Sequence, residues 1–132
     1  MDNLILTFGY GNRTNYSSLE EALGKYSVNV LVDVRLKPKA WNRKWWGDKV
    51  KEFCEINDVK YISEPALGNI SGNAKWIPPN KNEARNSLER MAAEIQNQTI
   101  LLMCAELDHA RCHRTEVANM LQSMTSRDIR HL

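Results

Sequence analysis

The run Val28-Asn29-Val30-Leu31-Val32-Asp33-Val34 constrains this chain more than any other segment. It is β-branched and apolar at nearly every position, whereas a strand with one face in water alternates apolar with polar residues. A strand that needs cover on both faces belongs in a sheet with helices above and below. Such sheets are parallel, because each strand returns to the same edge through a helical crossover.

The rest of the chain supplies the other strands and the crossovers. Leu4 to Phe8 is a short apolar run closed by Gly9-Tyr10-Gly11-Asn12, a buried strand followed by a tight loop. Ser17-Ser18-Leu19-Glu20-Glu21 contains two overlapping capping boxes, and Leu19, Ala22, Leu23 and Tyr26 then mark one helical face. Val50, Phe53 and Cys54 recur at helical spacing, Val59 to Ile62 forms a third strand, and Ala84, Leu88, Met91, Ala92 and Ile95 define an amphipathic helix. Thr99 to Cys104 is a fourth strand. Val117, Leu121 and Met124 mark the last helix, and Asp128 to His131 a short closing strand. The expected fold is a three-layer α/β/α sandwich, Rossmann-like or flavodoxin-like, with a mostly parallel sheet of about five strands and Val28 to Val34 at its centre.

With 132 residues, no repeat and no linker, the chain reads as a single domain over 1–132. No apolar run approaches the roughly 20 residues of a membrane span, so a membrane partner is not expected. Met1-Asp2-Asn3 leads into a strand without a basic, apolar leader, and three cysteines is an odd count. Both features favour reduced thiols and a cytoplasmic location.

In open α/β sheets ligands bind beyond the carboxyl ends of the strands. Those ends are Gly9 to Arg13, Asp33 to Pro38, Glu64 to Gly68 and Cys104 to Arg114, and nearly every chemically unusual residue lies in them. The densest cluster is Cys104-Ala-Glu-Leu-Asp-His-Ala-Arg-Cys-His-Arg114. It joins a buried strand to a helix start, where free N–H groups favour an anion and lower the pKa of a nearby thiol. Cys104, Glu106 and His113 are the catalytic candidates, with Glu106 as general acid or base. Asn12, Arg13, Asp33, Arg35, Cys112 and Arg114 are the substrate-binding candidates, the arginines because their planar fork matches phosphate or carboxylate. Asp33 suits a structural task equally well, orienting an arginine or accepting from a loop N–H. Asn12, Arg35, Glu106 and Arg114 are expected to line one pocket.

Cys104, His109, Cys112 and His113 are all potential zinc ligands, but all four sit in one loop, whereas zinc sites usually combine a close pair with a distant one. No metal and no cofactor is therefore expected. Cys54 lies on an apolar helix face and reads as inert.

Between Arg35 and Lys51 seven basic residues face Asp48 alone, and three of the four tryptophans, Trp41, Trp45 and Trp46, fall in the same stretch. Trp41, Arg43, Lys44 and Trp45 could form the stacking and charge platform of a single-strand nucleic-acid binder. The competing interpretation is a loop folded over the core with its cations in solvent.

These loops together resemble the bacterial family of domain of unknown function 488. Thr7-Phe-Gly-Tyr-Gly-Asn-Arg13 is similar to the family's T-I-G-H-S-N-R, and Leu31 to Arg35 matches its L-V-D-V-R. Pro65-Ala-Leu-Gly-Asn69 resembles P-x-L-G-G, and Cys104 to Arg114 resembles a C-A-E followed by C-H-R at the same spacing. Tyr10, Gly11 and Asn69 stand where that pattern has His, Ser and Gly. The resemblance implies the fold and the site but no reaction. Three functions stay open: an enzyme for a small anionic or nucleotide-like substrate, a non-catalytic nucleic-acid or modified-nucleotide binder using the Trp/Lys loop, and a rhodanese-like sulfur carrier. Nothing in the sequence sets the oligomeric state.

Overall fold

The computed structural model describes residues 3–132. Strands and helices alternate as β1 (Ile5–Gly9), α1 (Ser17–Lys25), β2 (Val30–Asp33), α2 (Gly47–Ile56), β3 (Lys60–Ser63), α3 (Lys81–Glu94), β4 (Ile100–Cys104), α4 (Arg114–Thr125) and β5 (Ile129–His131), with short 3-10 turns in the connections. Every strand pair is parallel, in the order β3-β2-β4-β1-β5. The sheet is thus fully parallel, as the two-sided apolar runs demand. Its centre is β4 and not the Val28–Val34 segment, which lies one place toward the edge. Both strands are buried along their whole length, so composition alone does not separate them.

Side-chain alternation divides the core into two layers. Ile100, Leu102 and Cys104 of β4 join Ile5, Val30 and Val32 in a cluster closed by Leu88 and Met91 of α3 and Val117, Ala118 and Leu121 of α4. Leu101 and Met103 join Leu6, Phe8 and Leu31 in the opposite cluster, closed by Leu19 and Leu23 of α1 and Val50 and Cys54 of α2. Each of these large side chains, fully buried, is worth about 1.5–3 kcal/mol of transfer free energy. Met124, expected on the buried face of α4, is exposed, and Ala118 takes that face.

Two helix starts show how local chemistry is resolved. The Asn80 side chain accepts the backbone N–H of Glu83 at 3.0 Å and caps α3. The serine capping boxes of α1 do not form: Asn15 Oδ1 takes the Ser17 N–H at 3.0 Å, and Ser18 Oγ accepts from Arg13 Nη1 at 2.8 Å. Tyr16 occupies the cap position without a side-chain cap.

The chain leaves β1 and β2 toward the face of α1 and α2, and leaves β3 and β4 toward the face of α3 and α4. At the adjacent ends of β2 and β4 the outgoing connections therefore part to opposite faces. That divergence opens a crevice, the switch point where parallel sheets hold ligands. Two glycines let the walls come close. A methyl group on Gly9 would overlap the Glu106 carbonyl oxygen, and one on Gly68 would lie 2.6 Å from the Leu36 Cα. Among the described residues no helix is long and apolar enough to cross a membrane.

Candidate functional site

The crevice contains a cavity of about 420 Å³. One wall is Arg35, Leu36 and Lys37 after β2, the second is Cys104 to Glu106 after β4 with Arg111 to His113, and Asn69, Gly72 and Asn73 form the third. Cys104 and Cys112 lie at its floor, 7% and 5% exposed. Their Sγ atoms stand 2.8 Å apart, close enough to share a proton. His113 Nδ1 lies 3.9 Å from each sulfur. Its other ring nitrogen, Nε2, is 2.9 Å from the Val34 carbonyl oxygen, which can only accept, so Nε2 carries a proton and the ring is held with Nδ1 toward the thiols. The thiol pair, the imidazole and the carbonyl that orients it thus stand in line at the cavity floor.

The proton is not shared evenly. Cys112 is held well below the ordinary thiol range, first by the hydrogen bond from Cys104 and then, against the opposing effect of burial, by His113, the backbone N–H of Arg114 and the Arg114 charge. Cys104 moves the other way because its partner and its burial both favour the protonated form. The thiolate form is thus favoured at Cys112 and the protonated form at Cys104. Cys54, buried under α2, is pushed up to about 12 by desolvation and lies outside this cavity.

Arg114 explains part of that asymmetry. It is the first residue of α4, wholly buried, and donates from Nη1 to the Glu106 carbonyl and from Nη2 to the Leu107 carbonyl at 3.1 Å. Among the described residues no carboxylate pairs with it. A buried guanidinium bonded only to carbonyls leaves an uncompensated charge that the Cys112 thiolate offsets. Arg114 fastens the loop after β4 in place and does not line the cavity, in contrast to the ligand-binding role expected of it.

Arg35 is likewise committed within the protein. Its Nε and Nη2 meet the Asp33 carboxylate at 2.8 and 2.6 Å, and Nη1 donates to Trp45 O at 2.7 Å and Tyr10 Oη at 3.2 Å. Asp33 is fully buried and also accepts from Tyr61 Oη at 2.6 Å. Burial alone would lower the Arg35 pKa, but the Asp33 bond and charge outweigh it and raise it. The fork that suggested phosphate recognition is already filled by a carboxylate.

The other candidates separate. Glu106 is exposed on the cavity wall, its Oε1 accepting the Asp108 N–H at 3.3 Å. Asn12 and Arg13 line a different cavity of about 240 Å³ with Trp41 and Trp45, so Asn12, Arg35, Glu106 and Arg114 do not share one pocket. Trp45 is 1% exposed and stacks on Tyr10 at 4.9 Å, which removes it from any nucleic-acid platform. Trp41 is fully exposed, and Arg43 and Lys44 are exposed beside it. Two cavity residues were overlooked by sequence reasoning. Lys37 and Arg111 are exposed on its wall, and among the described residues neither side chain has a hydrogen-bond or ion-pair partner. Their signal was present, since each lies within two residues of a motif arginine or cysteine.

Three of the four potential metal ligands do converge: the donor atoms of Cys104, Cys112 and His113 lie within 4.8 Å of one another. His109 is elsewhere, stacked on His131 at 3.7 Å. Tetrahedral zinc with bonds of about 2.3 Å to sulfur separates two thiolates by about 3.8 Å. The 2.8 Å between these sulfurs is shorter than that separation.

The family model described as domain of unknown function DUF488 matches residues 16–121. That span contains Asp33-Val34-Arg35, Pro65 to Gly68 and the whole Cys104–Arg114 segment, while Thr7–Arg13 precedes it. No curated protein and no solved structure matches the chain.

Proposed function

The chain belongs to the DUF488 family of domains of unknown function, and from that premise we propose that it is an enzyme using a cysteine thiolate on a small anionic or nucleotide-like substrate. The observation that carries this reading is the Cys104–Cys112 pair, 2.8 Å apart beside His113 on the floor of an open cavity. Cys112 is the nucleophile, and His113 relays protons between the thiol pair and the substrate. Glu106, on the wall, is the general acid or base for groups that the histidine does not reach. Lys37 and Arg111 supply the positive charge for the anion in place of Arg35 and Arg114, whose donors are spent.

The test is thiol labelling of the native protein at slightly acid pH with and without inorganic phosphate or a nucleoside monophosphate, followed by peptide mapping. Cys112 should react first and be protected by the anion. Uniformly slow reaction of all three thiols would remove the thiolate chemistry.

A second reading, nucleic-acid binding, retains one specific observation. Trp41 is fully exposed among Lys39, Arg43 and Lys44, at the rim of the cavity formed with Asn12 and Arg13. Salt-dependent oligonucleotide binding that is lost on Trp41→Ala would favour it.

A further inference from the structure

Resting on the thiolate reading above, we infer that Cys104 and Cys112 form a two-electron exchange pair that reduces small anionic disulfides and closes into a Cys104–Cys112 disulfide. Cys112 lies 2.8 Å from a second thiol, and both sulfurs share one imidazole nitrogen. A nucleophile used only for acyl or glycosyl transfer has no need of that second thiol. An exchange reaction does, because the mixed disulfide formed in its first half must be resolved before the second substrate sulfur can leave.

The two halves balance on the groups present. The Cys112 thiolate attacks one sulfur of R–S–S–R; the Cys112–S–R bond forms, the substrate S–S bond breaks, and the first R–S⁻ leaves and takes a proton from water. Cys104 then gives its proton to His113 Nδ1 and attacks the Cys112 sulfur. The Cys112–S–R bond breaks, and the second R–S⁻ departs with the proton that His113 held. Substrate is reduced by two electrons, and the protein dithiol is oxidised by the same two. The closing step needs the sulfurs to approach by less than 1 Å, from 2.8 Å to the roughly 2.05 Å of a covalent bond.

The cavity adds specificity. Among the described residues Lys37 and Arg111 are cations without a partner on its wall, and Glu106 is the one acid lining it, since the charge of Arg35 is matched by Asp33. A disulfide carrying carboxylates fits that wall better than a neutral one. Cys54 takes no part, being buried in the layer on the other side of the sheet.

The experiment incubates reduced protein with oxidised glutathione, or with neutral 2-hydroxyethyl disulfide, and reads the products by intact mass and peptide mapping. Wild type should lose two hydrogen masses and yield a Cys104–Cys112 link, about tenfold faster with the anionic probe. Cys104→Ser should stop at a glutathione adduct on Cys112, and Cys112→Ser should carry none on Cys104. A stable adduct on wild type with no internal link would overturn the exchange pair. Iodoacetamide labelling of the reduced protein, before any disulfide is added, keeps the two proposals apart. Rapid labelling of Cys112 without an internal disulfide refutes the exchange and leaves the thiolate enzyme standing, whereas sluggish labelling of Cys112 refutes both.

Discussion

Arg35 closes a two-point ion pair on Asp33, Nε to Oδ1 at 2.8 Å and Nη2 to Oδ2 at 2.6 Å, with both side chains out of solvent. The pair joins the end of β2 to the Trp45 loop and to Tyr61 of β3, so it is a girder of the crevice.

Removing one partner of that pair strands the other charge. Arg35→Ala is expected to cost about 3–5 kcal/mol, the range for breaking a buried pair, measured by urea unfolding. Arg35→Lys should recover only part of this, because an ammonium cannot meet Asp33, Tyr10 and Trp45 O together. An Arg35→Ala protein of undiminished stability that fails to bind phosphate would return Arg35 to the role of ligand anchor.

The two loop tryptophans should part company. Trp45 is 1% exposed between Tyr10, Phe8 and Tyr16, so Trp45→Ala is expected to destabilise by about 3–5 kcal/mol. Trp41 touches solvent on all sides, and Trp41→Ala should change stability by less than about 0.5 kcal/mol. Thermal melts of the two variants check both figures.

A third expectation concerns Gly9, the last residue of β1. Its missing side chain admits the Glu106 carbonyl, and the neighbouring Tyr10 N–H bonds Cys104 O at 3.1 Å. Gly9→Ala should destabilise by about 1–3 kcal/mol, because backbone and not a flexible side chain has to move. Since the displaced segment carries Cys104 to Glu106, the labelling rate of Cys112 should fall along with the melting temperature. A variant that melts early and labels at the normal rate would uncouple the loop from the site.

The parallel sheet was legible because its evidence is local: runs such as Val28 to Val34 and Thr99 to Cys104 state their own burial. Strand order is not local, which is why β4 and not β2 is central. The convergence of Cys104, Cys112 and His113 beyond one strand end could be read from the motif, since strand and helix boundaries place all three at the same edge. What the arginines do could not. A bidentate arginine suits phosphate and buried carboxylate equally, and only the position of Asp33 beside Arg35 and of the Glu106 carbonyl beside Arg114 decides. The capping serines failed for a related reason, since Asn15 and Arg13 were better placed to engage the same groups.

The last prediction is a pH profile. Cys112 is lowered from 9.0 to about 4, mainly by the hydrogen bond from Cys104 and against the cost of burial. An ordinary thiol with a pKa of about 8.5 loses reactivity about tenfold per pH unit as pH falls below that value. Cys112 should instead alkylate at a nearly constant rate from about pH 8 down to about pH 5, because its thiolate fraction does not change there. Stability follows with a definite sign. Between the folded value near 4 and the unfolded value of 9.0 the folded pair binds one proton and the unfolded pair two, so stability from this site rises with pH across that window and is lost as pH falls through the folded value. Cys104→Ala removes the largest stabilising contact, and its alkylation midpoint should climb by at least about one unit, a tenfold loss of thiolate on the acid side. A wild-type rate that falls tenfold per unit from about pH 8 would show that Cys112 is an ordinary thiol and that the pair, the histidine and the buried Arg114 charge do not act on it together.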